Sequence, residues 1–360
     1  MGMMFVCLIP DEDLACRTFV HTQWVGISLA DCFFPCFLFL SGVSLGINAE
    51  TKIWGERWLA NALKRGVYLA LIGMLCNHFF RIWSLLFNPA YGFEQFFHGI
   101  THFFRPFGVL QRIGFAHVLG LCIFHFARTI RNGMMAAFAI LLATTAGFFL
   151  YNPAAPFAET DNISIFVDQA LQGTNHNALR KIFDPEGMYG NITAIASFIF
   201  GIVAGMQLKV GDRMASVQWG CALGLTGWLA SYVVIVSKPL WTAPYVLILT
   251  GAFMILLPAL DAYFHRTDAA VTWAKLPVLL GANSLLTYLT STLVCTLLLA
   301  AKVGDTSLYH FLWFKSIYSE QMPALSCHMC AFFFSILSAC IVCLIVRLCN
   351  RAAHGNALLS

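Results

Sequence analysis

Apolar runs of about twenty residues recur along the chain, and they constrain its fold more than any other feature. A helix must supply about 20 such residues to cross the hydrocarbon core of a bilayer. Nine stretches qualify: 28–47, 65–86, 107–127, 132–151, 189–208, 214–236, 242–264, 278–300 and 327–347. A bilayer offers no water to backbone N–H and C=O groups, so runs of this length predict helices rather than an open sheet. Charged residues make up 11% of the chain and hydrophobic ones 59%, whereas soluble domains carry about 25% charged residues. The expected fold class is therefore an all-α polytopic membrane protein. It is read as a single integral membrane domain over 1–360, with a non-cytoplasmic loop at about 152–188. The net charge of +4 is small and sits in loops, which gives no reason to expect nucleic acid.

Thirteen cysteines do not change this picture. Cys32, Cys36, Cys76, Cys122, Cys340 and Cys343 lie inside apolar runs, where cysteine behaves as a small hydrophobe. Cys327 and Cys330 form a lone CxxC with no second pair to complete a zinc site, so no metal is expected. The opening MGMMFVCLIP is too short to cross a membrane and lacks the basic start and cleavage site of a signal peptide. It reads as the second half of a helix whose first half, a tenth span, is missing.

The loops alternate in charge. Lys52, Arg57, Lys64, Arg65, Arg128, Arg131, Lys209, Arg213, Arg266, Lys275, Arg347 and Arg351 fall on one side, which the positive-inside rule makes cytoplasmic. The N-terminal segment with Asp11, Glu12 and Asp13 falls on the other side, with loops 87–106, 152–188, 237–241 and 301–326. Residue 1 and His21 are then non-cytoplasmic, and Ser360 is cytoplasmic.

Polar residues at membrane depth are costly and usually functional. The sharpest instance is His21–Asn48, where His21, Gln23, Trp24 and Asp31 lead into an almost unbroken apolar run. Residues 48–64 read as a short amphipathic helix on the membrane surface. The aromatic and histidine-rich loop 87–106 is expected to pack down on the bundle, with an interfacial aromatic belt as its simpler explanation. Pro106 suits the first turn of the third span. Arg105 and Arg112, seven residues apart, would then share a face beside Gln111 and anchor an anion or a buried carboxylate. The 152–188 loop carries Asn162, Asp168, His176 and Arg180, then a turn at Asp184-Pro-Glu186-Gly187. Gly201 and Gly205 form a GxxxG pair suited to close helix packing. Asn283, Ser284 and Thr287 make a polar stripe on the eighth span, equally explained as interhelical glue.

Taken together, these motifs resemble the heparan-α-glucosaminide N-acetyltransferase family and its bacterial relatives. His21-Thr-Gln-Trp-Val-Gly-Ile-Ser-Leu-Ala-Asp31-Cys-Phe-Phe-Pro35 is similar to that family's His-x-x-Trp-x-Gly signature, followed by Asp and a Phe-Pro pair. Gly108-Val-Leu-Gln-Arg-Ile-Gly114, Asp184-Pro-Glu-Gly187 and Gly281-Ala-Asn-Ser284 fall in the family's order, and the Asn162–Asp168–His176 loop fits the bacterial branch. The resemblance spans about 21 to 290. It departs at the start, where the family's basic opening to the first helix is absent and Cys7 stands where an asparagine usually lies.

The resemblance implies a multi-span acetyltransferase. Acetyl would pass from cytosolic acetyl-CoA to an amino sugar or glycan beyond the membrane. A bacterial inner membrane is the expected location, with the lipid bilayer and acceptor as partners and a homo-oligomer left open. His21 would act as general base or as acetyl acceptor, with Asp31 as the second catalytic residue. Trp24, Arg105, Gln111, Arg112, His176, Asp184, Glu186 and Asn283 are the candidate substrate-binding residues. Ten helical residues span about 15 Å, so His21 meets Asp31 only if it folds back over the helix mouth near Gly26. The favoured alternative pairs Asp31 with Arg105 or Arg112. Lys64, Arg65, Arg128 and Arg131 are candidates for a basic acetyl-CoA entrance. The competing readings are a transporter or flippase for a sugar or lipid-linked substrate, and an inactive truncated remnant of the enzyme.

Overall fold

The computed structural model describes residues 21–88, 90–177, 182–266, 274–312 and 336–350. The N-terminal opening with Cys7, Arg180 and the Cys327–Cys330 pair lie outside the described residues. The bundle comprises α1 (Leu29–Ile47), α2 (Ala49–Lys52), α3 (Trp58–Phe87), α4 (Phe93–His102), α5 (Val109–Ala127), α6 (Ile130–Tyr151) and α7 (Ile163–Leu171). It continues through α8 (Met188–Lys209), α9 (Arg213–Ala230), α10 (Ala243–Arg266), α11 (Lys275–Ala282) and α12 (Ser284–Ala300). A two-stranded hairpin, β1 (Lys302–Val303) with β2 (Thr306–Ser307), is followed by the short α13 (Leu308–His310) and by α14 (Ile336–Asn350).

Six of these helices are long and apolar enough to cross a membrane: α1, α3, α5, α6, α8 and the Ala243–Phe264 part of α10. A seventh span is reached if α11 and α12 count as one, although they meet at 87°. The nine expected spans are thus corrected in two places, and a third lies partly outside the described residues. The 278–300 run breaks at Asn283, so the polar stripe assumed for a continuous helix does not form. The 214–236 run yields α9, which ends at Ala230 in turns and falls outside the spanning set. Of the 327–347 run, only the part in α14 is described. The expected surface helix at 48–64 is also two elements. Ile53 is fully buried between α2 and α3, and the stretch from Trp58 onward is the first part of the 30-residue α3.

The core is organised around α8, which packs against α1, α5, α6, α7, α9 and α10. Lipid tails are as apolar as leucine, so helices in a bilayer gain little from hydrophobicity alone and rely on close backbone approach. The α1–α8 contact supplies it. A Cβ added at Gly201 would meet the Phe39 carbonyl oxygen at 2.1 Å, and one at Gly205 the Val43 oxygen at 2.2 Å. From the other side, a Cβ at Gly42 would meet the Phe198 oxygen at 2.2 Å, and one at Gly46 the Ile202 oxygen at 2.1 Å. Two interlocking GxxxG stripes therefore set the distance between α1 and α8, and with it the position of the helix that carries Asp31. Buried Phe34, Leu38, Phe39, Phe198 and Ile202 close the seam around them.

Replacing Gly201 with Leu forces these two backbones apart. The expected outcome is a loss of about 3 kcal/mol or more in stability, read as lowered thermal unfolding in detergent. Gly224→Leu, where an added Cβ meets nothing within 4 Å, serves as the control and is expected to change little.

Candidate functional site

Asp31 is the third residue of α1, and its side chain is fully buried. Nothing in the helix repeat could bring His21 to it. Residues 21–28 are instead a non-helical turn in which Gly26 adopts φ +112°, a conformation that L side chains rarely take. The Gly26 N–H donates to the Val236 carbonyl at 2.8 Å, pinning the turn to the loop between α9 and α10. The chain thereby folds back over the mouth of α1, and His21 Nδ1 lies 2.8 Å from Asp31 Oδ1.

The other carboxylate oxygen collects the rest of the turn. Asp31 Oδ2 accepts from the Thr22 hydroxyl at 2.9 Å, the Thr22 N–H at 3.2 Å, the Ser28 hydroxyl at 2.9 Å and the Ser28 N–H at 3.0 Å. The expected pairing of Asp31 with Arg105 or Arg112 is therefore overturned. Local donors at the N-terminus of α1, where the helix dipole also favours a negative charge, claim the carboxylate first. Lys238, in the loop after α9, adds an ammonium 3.2 Å from Asp31 Oδ1 and 2.8 Å from His21 Nδ1. Tyr245 donates its hydroxyl to the Asp31 backbone oxygen at 2.7 Å. The His21 side chain keeps 46% of its surface exposed while Asp31 keeps none, so the imidazole is reachable and its partner is not.

A second cluster lies beside the first. Arg105 donates to Asp184 at 2.7 and 2.5 Å and also to Glu186. The helix begins only at Val109, so Arg105 and Pro106 belong to the preceding loop, and the expected shared helical face of Arg105 and Arg112 does not exist. Both arginines nonetheless reach the Asp184–Gly187 turn, which closes through the Gly187 N–H on the Asp184 carbonyl at 2.8 Å. Arg112, almost wholly buried, donates to Asn191 Oδ1 at 2.5 Å and to the Pro185 carbonyl at 3.0 Å. Its guanidinium lies 4.5 Å from the Trp241 ring centroid, and its Nη1 has no partner among the described residues. Trp241 itself carries φ +53°, a strained conformation for so large a side chain. It is held by its N–H on the Lys238 carbonyl and by the Ser237–Thr242 hydrogen bonds that close the loop.

Electrostatics in these loops follow burial and pairing. Burial opposes the charge of Arg105, but the carboxylates of Asp184 and Glu186 outweigh it and hold the guanidinium more firmly protonated than usual. Burial likewise opposes ionisation of Glu186, and Arg105 and Arg112 reverse the effect, lowering its pKa. Asp168 goes the other way: burial raises it to about 6, against the hydrogen bonds it accepts from the Asp184 and Met188 N–H groups. Burial lowers Lys238, opposed by Asp31 and Glu186.

The remaining candidates divide. Trp24 donates its indole N–H to the Phe157 carbonyl at 3.0 Å and meets Phe183 edge-on at 5.3 Å, tying the His21 turn to the 152–188 loop. His176 Nδ1 lies 2.5 Å from the Phe104 carbonyl, joining that loop to the Arg105 segment. Gln111 points toward α3, against Gly73, and its amide has no partner among the described residues. Asn283 spends its amide on the Leu279 carbonyl at the α11–α12 break, and α12 packs on α3. Neither joins the His21 cluster. Lys64 and Arg65 lie on the first turns of α3 and Arg128 at the α5–α6 turn, at the opposite end of the bundle. Among the described residues no group of three His, Cys, Asp or Glu side chains could hold a metal ion. Lys238, Trp241 and Asn191 were not singled out from sequence. The signal was a lysine and a tryptophan within Ser237-Lys-Pro-Leu-Trp-Thr242, a connector too short to stand out.

Comparison with characterised proteins bears on this arrangement. The mouse heparan-alpha-glucosaminide N-acetyltransferase is 25% identical over 336 residues, which cover 75% of this chain and 48% of the relative. The human protein of the same name is 25% identical over 334 residues, with the same coverage. The chain is a distant relative of the heparan-alpha-glucosaminide N-acetyltransferases. It spans about half the length of these acetyltransferase relatives. No protein-family profile matches it.

The Asp168 shift has a checkable sign. A carboxyl whose pKa is higher folded than unfolded favours the folded state fully below its ordinary value, and that contribution is lost as pH rises through the folded value. Wild type is therefore expected to lose stability relative to Asp168→Asn as pH climbs from about 4 to about 6, with a constant difference above. Paired thermal unfolding curves across that range, showing a parallel or opposite trend, would contradict the raised value.

Proposed function

We propose that this chain is an acetyltransferase that moves acetyl from acetyl-CoA to the amine of an amino sugar or glycan on the other side of a membrane. The observation that carries this reading is an exposed imidazole, His21, whose Nδ1 sits 2.8 Å from the fully buried Asp31. A Nδ1–H donated to Asp31 leaves the lone pair of the ring on Nε2, the atom a base or nucleophile needs. His21 then removes the proton of the attacking amine, or takes the acetyl group on Nε2 and passes it on. Asp31 orients the ring and balances the positive charge that either course creates on it.

Donor and acceptor arrive from different ends. The loops carrying His21, Trp24, Arg105, Asp184, Glu186 and His176 are joined by hydrogen bonds and ring contacts at one end of the bundle. Lys64, Arg65, Arg128 and Arg131 serve a phosphate-bearing donor at the other, cytoplasmic, end, and the acceptor approaches His21 from the non-cytoplasmic side. Trp24 and His176 are assigned to the acceptor, and Arg112, whose Nη1 has no partner among the described residues, to a carbonyl or carboxylate oxygen.

A transporter is the runner-up because the α11–α12 pair is bent by 87°, and broken helices mark many transporter sites. The polar cluster at His21 lies elsewhere, which favours the enzyme. Proteoliposomes given labelled acetyl-CoA outside and glucosamine inside, with the basic-loop end facing out, discriminate the two. Wild type is expected to yield acetylated sugar, and His21→Ala to fall by at least ~100-fold. Sugar crossing without acetylation would replace this reading with transport.

A further inference from the structure

Lys238 has no part in the residue roles assigned above, yet it makes the closest cationic contact to His21. Its Nζ lies 2.8 Å from Nδ1, 3.3 Å from Nε2 and 3.2 Å from Asp31 Oδ1. The side chain is only 15% exposed. Its position is enforced by the loop that bears it. The Ser237–Thr242 bonds close that loop, Trp241 is locked over Arg112, and the Val236 carbonyl grips the His21 turn at Gly26.

A surface lysine that merely balanced Asp31 would need contact with the carboxylate alone. The 3.3 Å approach to Nε2 is the informative distance. When Nε2 bonds to an acetyl carbon, the carbonyl oxygen stands two bonds from Nε2, and rotation about the new N–C bond can turn it toward the ammonium. With Nδ1–H given to Asp31, Nδ1 accepts nothing from Lys238; one ammonium N–H goes to Asp31 Oδ1, which leaves the other two for that oxygen.

We infer that Lys238 is a catalytic residue, the donor that stabilises the oxyanion formed as acetyl leaves coenzyme A. This rests on the acetyltransferase reading. The Nε2 lone pair of His21 adds to the thioester carbonyl carbon, and the C=O π pair moves onto oxygen, where Lys238 donates its hydrogen bond. The oxyanion then re-forms the carbonyl as the C–S bond breaks, and coenzyme A departs as a thiolate. The acetylated ring, still holding Nδ1–H, is a cation between Asp31 and Lys238. The nearby ammonium disfavours that cation and so promotes transfer of the acetyl to the acceptor amine, whose proton goes to solvent or to the departing thiolate.

The test combines a variant with an altered donor. Sulfur accepts hydrogen bonds poorly, so replacing the acetyl oxygen with sulfur, as dithioacetyl-CoA, removes the acceptor that Lys238 serves. Lys238→Met in the full chain is expected to lower kcat with acetyl-CoA by ~100-fold with little change in KM. The same variant should lower transfer from dithioacetyl-CoA by less than about fivefold. Lys238→Arg, which keeps charge and donors, should recover most of the loss with acetyl-CoA. Equal slowing with both donors, or wild-type kcat in Lys238→Met, would overturn the assignment. A wild-type protein that transfers no acetyl from acetyl-CoA would instead overturn the acetyltransferase reading beneath it.

Discussion

The buried carboxylate of Asp31 is the constraint on which the rest of the site depends. A carboxylate with no exposed surface must find donors for both oxygens or lose several kcal/mol. Asp31 finds them in His21, Thr22, Ser28 and Lys238. Satisfying that one group folds residues 21–28 back over α1, because no straight chain could deliver Thr22 and Ser28 to the same oxygen. The turn in turn requires Gly26 in its left-handed conformation and the Val236 carbonyl as partner for its N–H. The half-exposed imidazole is a consequence of this arrangement.

Depth and rigidity come from elsewhere. The interlocked glycine stripes of α1 and α8 hold the base of the carboxylate's helix at backbone contact. The same α8 starts at the Asp184–Gly187 turn, where Arg105 and Arg112 converge. One helix pair thus links the Asp31 cluster to the arginine cluster. Trp241 completes the link by lying on Arg112 while its loop delivers Lys238 to His21. Two charge clusters share one frame, so a change in the α1–α8 distance would disturb both.

The membrane architecture was legible because run length alone dictates it, and the positions of α1, α3, α5, α6, α8 and α10 follow the apolar runs closely. Half of the glycine seam, Gly201 and Gly205, was legible because small residues four apart have few other uses in a bilayer; the facing pair Gly42 and Gly46 on α1 emerged only from the packing. The His21–Asp31 contact was harder. Helical spacing argued against it, and the decisive element was a single glycine in a turn whose conformation sequence pattern does not reveal. Pro106 suggested a helix start that the structure places at Val109, so Arg105 belongs to a loop and pairs with Asp184 and Glu186. Asn283 illustrates the opposite error, a polar stripe inferred on a helix that breaks at that residue. Lys238 was overlooked because a lysine in a short connector is ordinarily a solvated charge, and only tertiary folding brings it to the imidazole.

On the proposed acetyltransferase reading, the charge of Asp31, and not only its shape, holds His21 in its working state. Asp31→Asn preserves the size of the side chain but removes the charge and one of its acceptors. Measured as kcat for acetyl transfer from acetyl-CoA, with monodispersity in detergent confirming the fold, this variant is expected to lose about ten-thousandfold, comparable to orienting-carboxylate losses elsewhere. Retention of activity within threefold of wild type would contradict the claim.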